Sequence, residues 1–442
     1  MVERLVVVGG DAAGMSAACQ ARRLQPYLEI VALERGAWTS YSACGIPYLV
    51  GGEVAALEDL VVRTPQQHRE ERIDVRLHHE VLSVDLAGRV LEVRDHSKSR
   101  TFRLEFDQLH LATGARPTRP DIPGIDGDSV RGVQTLDDAR ELLDLARTLH
   151  CEEVVVVGGG YIGLEMAEAF TRRGQRVTLV EGGDQLMHTI DPDMAERLLA
   201  PLEKLGIHVR LGAAVAGFDA GRVHLADGTD LPSDLTILGL GVTPNADLAA
   251  AAGIETGHRG AITVDRRQRT SADGVYAAGD CATSHHLVSG RSVHVALGTV
   301  ANKQGRVAGT NLGGGYATFP GVVGTAITKV CSLDVARTGL TEREARAAGF
   351  LYDTATIDST TQAGYLPDPP PITVKMLAER GTGRVLGAQI IGGRGAGKRI
   401  DTVAVALHAR LRVQEVIDLD LAYAPPMGTV WDPVVVAARR LA

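Results

Sequence analysis

The chain is poor in the features that mark several protein classes. Aromatic residues make up only 4% of its 442 positions. No stretch approaches the roughly 20 uninterrupted apolar residues that a spanning helix requires, so no membrane crossing is expected. Five cysteines are present, Cys19, Cys44, Cys151, Cys281 and Cys331, and none falls into a CxxC or CxxxxC pair. A disulfide scaffold is therefore not expected. The N-terminus runs directly into a strand-like segment, residues 5 to 8, without a basic region, a long apolar region or a cleavage site, which points to a reducing cytoplasm. The formal charge of -8 gives no overall basic field and argues against nucleic-acid or acidic-membrane partners. Fourteen histidines, among them His78, His79, His285 and His286, come without an HExxH or cysteine–histidine ligand set, and no metal site is expected.

What the chain does have is glycine and repetition. An apolar fraction of 45% with 51 glycines fits an α/β protein with many tight strand-to-helix turns. The length calls for two or three domains. Two segments match one another: LVVVGGDAAGMSAACQARR followed by IVALE, and VVVVGGGYIGLEMAEAFTRRG followed by VTLVE. Each reads strand, glycine turn, helix, strand, acid. This is the dinucleotide-binding unit, in which glycines let the backbone approach a pyrophosphate and the helix N-terminus faces its negative charge. The second copy is complete, with Gly158, Gly160, Gly163 and the closing acid Glu181. The first has Gly9 and Gly14 at the outer positions and Glu34 as the acid, but Asp11 replaces the middle glycine. In both copies the acid is placed for ribose hydroxyls, and Glu181 favours NADH over NADPH because a carboxylate repels a 2′-phosphate. A lone GxGxxG is often only a tight turn; two correctly spaced units are not.

Two further segments, HLATGARP (110 to 117) and VYAAGD (275 to 280), look like strands ending in tight turns. With the paired units they resemble the FAD-contacting motifs of the two-dinucleotide-binding flavoproteins, which include the pyridine nucleotide-disulfide oxidoreductases. The resemblance implies that Thr113 and Gly114 contact FAD and that Asp280 holds its ribityl chain. Without the resemblance, Asp280 would read as the cap of a helix starting just after it. The implied architecture is an FAD domain (1 to 117 and 243 to 320) split around an NAD(P)H domain (118 to 242). A C-terminal α+β dimerisation domain (321 to 442) follows, in which ITVKMLAE and VLGAQIIG read as strands and DTVAVALHARL as a helix.

The remaining signal is SYSACGIPYLVGG, residues 40 to 52. Taken alone it is a loop with one thiol, and single cysteines are commonly inert. Where glutathione reductase-type enzymes carry CxxxxC, this chain has Ser40 and Cys44. The pattern SxxxCGxPYxxxG resembles the coenzyme A-disulfide reductases and the related NADH oxidases, peroxidases and persulfide reductases, over essentially the whole chain. Ala43 stands where those relatives place Asn, and Ala12 where the peroxidases and water-forming oxidases place a histidine. The resemblance further implies catalytic roles for Tyr365 and Tyr423, contributed from the neighbouring subunit of a homodimer. Ser40, Arg22 and Arg23 are candidate substrate contacts, and with Arg69 and Arg72 the arginines fit coenzyme A phosphates, a solvated helix face being the other reading.

The expected activity is NAD(P)H-dependent, FAD-mediated reduction of coenzyme A disulfide or a similar small disulfide, through Cys44 and a mixed disulfide. A depressed Cys44 pKa is expected for that chemistry, with the nearby flavin and a helix N-terminus as its sources. The alternatives are an NADH oxidase or a persulfide or polysulfide reductase on the same scaffold, and, in another class, a flavoprotein electron carrier to a protein partner with Cys44 merely structural. A redox-sensing interaction protein has no positive support.

Overall fold

Runs of β-branched residues dictate the two parallel sheets. In the computed structural model, which describes residues 3–442, the strand Arg4–Val8 is buried along both faces after its first residue. Such continuous apolar runs suit a parallel sheet covered on both sides. It pairs in parallel with Glu29–Leu33 and Gln108–Leu111, and the sheet extends to Ile73–Arg76 on one side and Val275–Ala277 on the other. The helix Ala12–Leu24 lies on one face against Gly298–Leu312. A β-carbon at Gly305 or Gly309 would run into the backbone of Ala13 or Ala17, so these glycines set the close crossing of the two helices.

The second unit repeats the plan. Strands His208–Arg210, Arg176–Val180, Glu153–Val157, Leu235–Leu238 and Val130–Gly132 form a five-stranded parallel sheet in that order. A short antiparallel ribbon, Ala115–Pro117 with Val242–Pro244, joins the two sheets. Each unit also carries a three-stranded antiparallel meander.

The C-terminal domain is an antiparallel sheet of Ala326–Val330, Leu333–Gly339, Val385–Gly392, Pro371–Glu379 and Tyr352–Thr360, backed by the helices Ile400–Ala409 and Pro433–Arg439. The strands and helix read from the tail sequence are therefore present. No helix among the described residues is long and apolar enough to cross a membrane.

One polar cluster fastens the C-terminal sheet to the second nucleotide unit. Lys375, 3% exposed, reaches Asp191 at 3.2 Å, Asp193 at 2.6 Å and Glu342 at 2.6 Å. Gln389 completes it, donating to Asp191 Oδ2 and accepting from the Asp191 N–H. The three carboxylates have the spacing of a metal site, but the Lys375 ammonium fills the space between them. It is held well above the ordinary lysine range by those carboxylates, against the opposing effect of burial. Removing one partner of such a cluster leaves buried charge unpaired. Lys375→Met should therefore cost about 3–5 kcal/mol of stability, read as a lower denaturation midpoint.

Candidate active site

Both glycine turns are built alike. Gly9 and Gly158 have φ of 108° and 104°, a left-handed region that glycine enters without penalty. A β-carbon on Gly9 would strike Ala112 O, and one on Gly158 would strike Gly239 O. Gly14 and Gly163 abut the carbonyls of Gly9 and Gly158 in the same way, so the helix must start against the strand end. The closing acids clamp the turns. Glu34 accepts from Gly10 N–H at 2.8 Å and Gly36 N–H at 2.7 Å. Glu181 accepts from Gly159 and Gly183 N–H, both at 2.8 Å. These acids, placed for ribose hydroxyls by the sequence pattern, thus also hold their own loops.

The residues around the first turn fit FAD. Asp280 is enclosed with no compensating partner, and burial alone pushes its carboxyl up to about 6. An unsupported acceptor beside a glycine cradle suits a polyhydroxylated chain carrying a pyrophosphate. The loop is fixed from behind by Gln304, fully buried, which accepts from Gly279 N–H at 2.9 Å and donates to Thr283 O and Ser284 Oγ. Nothing in the local sequence marked Gln304. No helix follows Asp280: the next one is Gly298–Leu312, so the capping reading of Asp280 is corrected. Thr113 and Gly114 lie where the two units join. Thr113 Oγ1 donates to Asn245 O, Asn245 Nδ2 donates back to Thr113 O at 2.9 Å, and Gly114 O accepts from Asn245 N–H.

The thiol loop hangs between the units. Cys44 is exposed and sits in a single helical turn, Ala43–Gly45, ahead of the short helix Ile46–Val50. Its anchors come from distant positions. Ser40 N–H and Thr39 Oγ1 donate to Gly10 O, Tyr41 N–H donates to Asp11 Oδ1 at 3.1 Å, and Ser42 N–H donates to Leu60 O. Ser40 has φ 50° and its Oγ lies 2.9 Å from Nε2 of the fully buried His68. On the other side, the short helix packs on Tyr161–Arg172, whose Glu165 and Glu168 are tied to the C-terminal domain. Thr328 Oγ1 donates to Glu165 at 2.5 Å, and Lys329 Nζ and Cys331 N–H donate to Glu168.

The protein's own charges do not lower the Cys44 pKa. Although one side of Cys44 is exposed, partial enclosure by the surrounding loop pushes its thiol up, and the carboxylates of Glu165, Asp280 and Asp11 add to the effect. No cation of this chain offsets them among the leading influences, so a lowered thiol pKa is not supplied by the protein's own charges. Burial also raises Glu165 itself. Because the Glu165 carboxylate disfavours the neighbouring thiolate, Glu165→Gln should increase the thiolate fraction at a given pH. Alkylation of Cys44 by iodoacetamide near neutrality should therefore be faster in that variant, with its pH profile displaced to lower pH.

The remaining candidates divide. Tyr365 and Tyr423 are close enough to influence one another, and both are exposed, 75% and 45%, as are Met427, Val430 and Trp431 of the same domain. Arg22 is engaged within the chain, donating to the carbonyls of Gln25, Pro26 and Arg72. Arg23, Arg69 and Arg72 are exposed. The two turns also give separable tests. Gly14→Ala should abolish flavin retention, whereas Gly163→Ala should leave the flavin bound and abolish its reduction by NADH, as seen in the absorption spectrum.

Comparison with known proteins agrees with this geometry. Residues 3–305 match the family model described as pyridine nucleotide-disulphide oxidoreductase, and residues 325–433 match its dimerisation domain, which implies a homodimer. The chain is 38% identical, over all of its length and 99% of the relative's, to an NAD(P)H coenzyme A polysulfide/persulfide reductase of Pyrococcus horikoshii. It is 27% identical to a coenzyme A disulfide reductase of Staphylococcus epidermidis, covering 96% of each. The solved structure of reduced Bacillus anthracis CoADR-RHD superposes with a TM-score of 0.97 at 32% identity, covering 100% of this chain and 80% of that one. With two dinucleotide units, a lone thiol between them and a C-terminal dimerisation domain, the chain belongs to the pyridine nucleotide-disulphide oxidoreductases and is an FAD-dependent NAD(P)H oxidoreductase.

Proposed function

We propose that the enzyme uses NAD(P)H to reduce coenzyme A disulfide, or a similar low-molecular-weight disulfide, through Cys44. The observation that carries this reading is the solitude of the thiol. The position of a second cysteine is taken by Ser40, whose hydroxyl is engaged by His68, so Cys44 must form its mixed disulfide with the substrate itself. Bound along the first glycine turn and Asp280, FAD supplies two-electron transfer from the pyridine nucleotide to sulfur.

The chain's own residues then have distinct roles. Gly9, Gly14, Glu34, Thr113, Gly114 and Asp280 hold the flavin nucleotide, and Gly158, Gly160, Gly163 and Glu181 the pyridine nucleotide. The Cys44 thiolate attacks one sulfur of the disulfide, the S–S bond breaks, and the other half leaves as a thiolate. Tyr423 protonates it, with Tyr365 as its neighbour, and both come from the partner subunit, an assignment supported by their exposure on the dimerisation domain. Two electrons arriving at Cys44 cleave the mixed disulfide and release the second thiol. Of the substrate contacts read from the sequence, Ser40, Arg22 and Arg23, only Arg23 has an exposed side chain without a bond to another described residue, which supports it as the contact for coenzyme A phosphate. The unpaired state of all five cysteines supports a cytoplasmic setting.

A second reading, reduction of a persulfide or polysulfide with Cys44 passing through a persulfide, is favoured by the name of the Pyrococcus horikoshii relative. Anaerobic titration separates the two. Enzyme reduced with NADH should be reoxidised fastest by coenzyme A disulfide, with free thiol released; reoxidation by polysulfide alone would replace the first reading by the second. In either case Cys44→Ser should keep the flavin reducible by NADH while acceptor turnover falls on the order of a thousandfold.

A further inference from the structure

The middle residue of the glycine turn differs between the two units, and the difference has a structural counterpart. Gly160 and Asp11 share an extended backbone, φ −83° and ψ −170° against φ −117° and ψ −154°. Neither position needs glycine for its conformation. Nor does the protein crowd it: a β-carbon on Gly160 would meet only Gly239 O, at 3.9 Å. The open space in front of this residue is where a dinucleotide pyrophosphate lies in such units. In the first unit the similar backbone puts the Asp11 β-carbon at the border of that space. The side chain is turned toward the thiol loop, and its Oδ1 accepts the Tyr41 N–H at 3.1 Å.

The same carboxylate has no compensating cation among its leading influences. It is half-buried at the start of the helix Ala12–Leu24, without a side-chain capping bond, and the titratable groups that face it are Glu34, Asp280, Tyr41 and Cys44. Burial, reinforced by Glu34 and Asp280, raises its pKa to about 6 even though the Tyr41 and Ala12 amides pull the other way. At pH 5 it is mostly protonated; at pH 8 it is an anion beside a bound diphosphate.

We propose that Asp11 is a positioning residue that fastens the Cys44 loop to the flavin pyrophosphate turn, and that its negative charge weakens the hold on the flavin. The unit thereby gives up nucleotide affinity in exchange for a fixed thiol. This goes beyond the sulfur chemistry proposed above and does not depend on which acceptor is used.

The test compares holoenzymes of the wild type, Asp11→Asn and Asp11→Gly. Asn keeps an acceptor for Tyr41 and loses the charge; Gly loses both and restores the residue found at position 160. Flavin release on dilution, followed by the fluorescence of free FAD, should be about tenfold slower in Asp11→Asn than in the wild type at pH 8 and equal at pH 5. Amide hydrogen exchange at Tyr41 should accelerate about tenfold in Asp11→Gly and be restored toward the wild type in Asp11→Asn. The proposal is overturned if the ratio of release rates is the same at both pH values, or if Tyr41 exchange is unchanged in Asp11→Gly. Neither readout involves a sulfur substrate, so failure here and failure of the acceptor titration are distinguishable.

Discussion

Two backbone crossings that leave no room for a β-carbon, Gly14 against Gly9 O and Gly163 against Gly158 O, govern the placement of both nucleotide sites and of the thiol between them. Each draws a helix N-terminus down onto the end of a parallel strand, so that unpaired N–H groups converge on one point. The carboxylates of Glu34 and Glu181 then tie the flanking loops to the same point. In the first unit this geometry aims Gly10 O and Asp11 at the segment that carries Cys44. The thiol is thus located by the flavin turn and not by its own short helical turn, which has too few residues to hold a position alone.

The charge environment of Cys44 shows where protein and cofactor divide the work. Glu165, Asp280 and Asp11 all act against the thiolate. Glu165 and Asp11 are each kept in place by a different contact, since Glu165 bonds Thr328 and Asp11 holds Tyr41. The protein accepts an unfavourable field at its nucleophile in order to keep these contacts.

Much of this was legible in the sequence because the informative residues are close together in the chain. The glycine turns, their acids and the spacing from Ser40 to Cys44 each lie within a short window. The strands of the C-terminal sheet showed as apolar runs around a glycine turn. Illegible were the contacts that join distant positions: His68 to Ser40, Asn245 to Thr113, Gln304 to Gly279, and Lys375 among Asp191, Asp193 and Glu342. Each is a polar residue with no local signature, chosen by a partner the fold alone supplies. The carboxylates that surround Cys44 were illegible for a related reason. Motif reasoning carried the thiol's chemistry, but its field is the sum of carboxylates from three separate segments.

The bonds from Thr328 and Lys329 to Glu165 and Glu168, together with the Lys375 cluster, join the pyridine nucleotide unit to the C-terminal sheet at two places. Sliding the second unit against the C-terminal sheet would have to break both fastenings at once, so the two are held as neighbours by polar bonds at separate points.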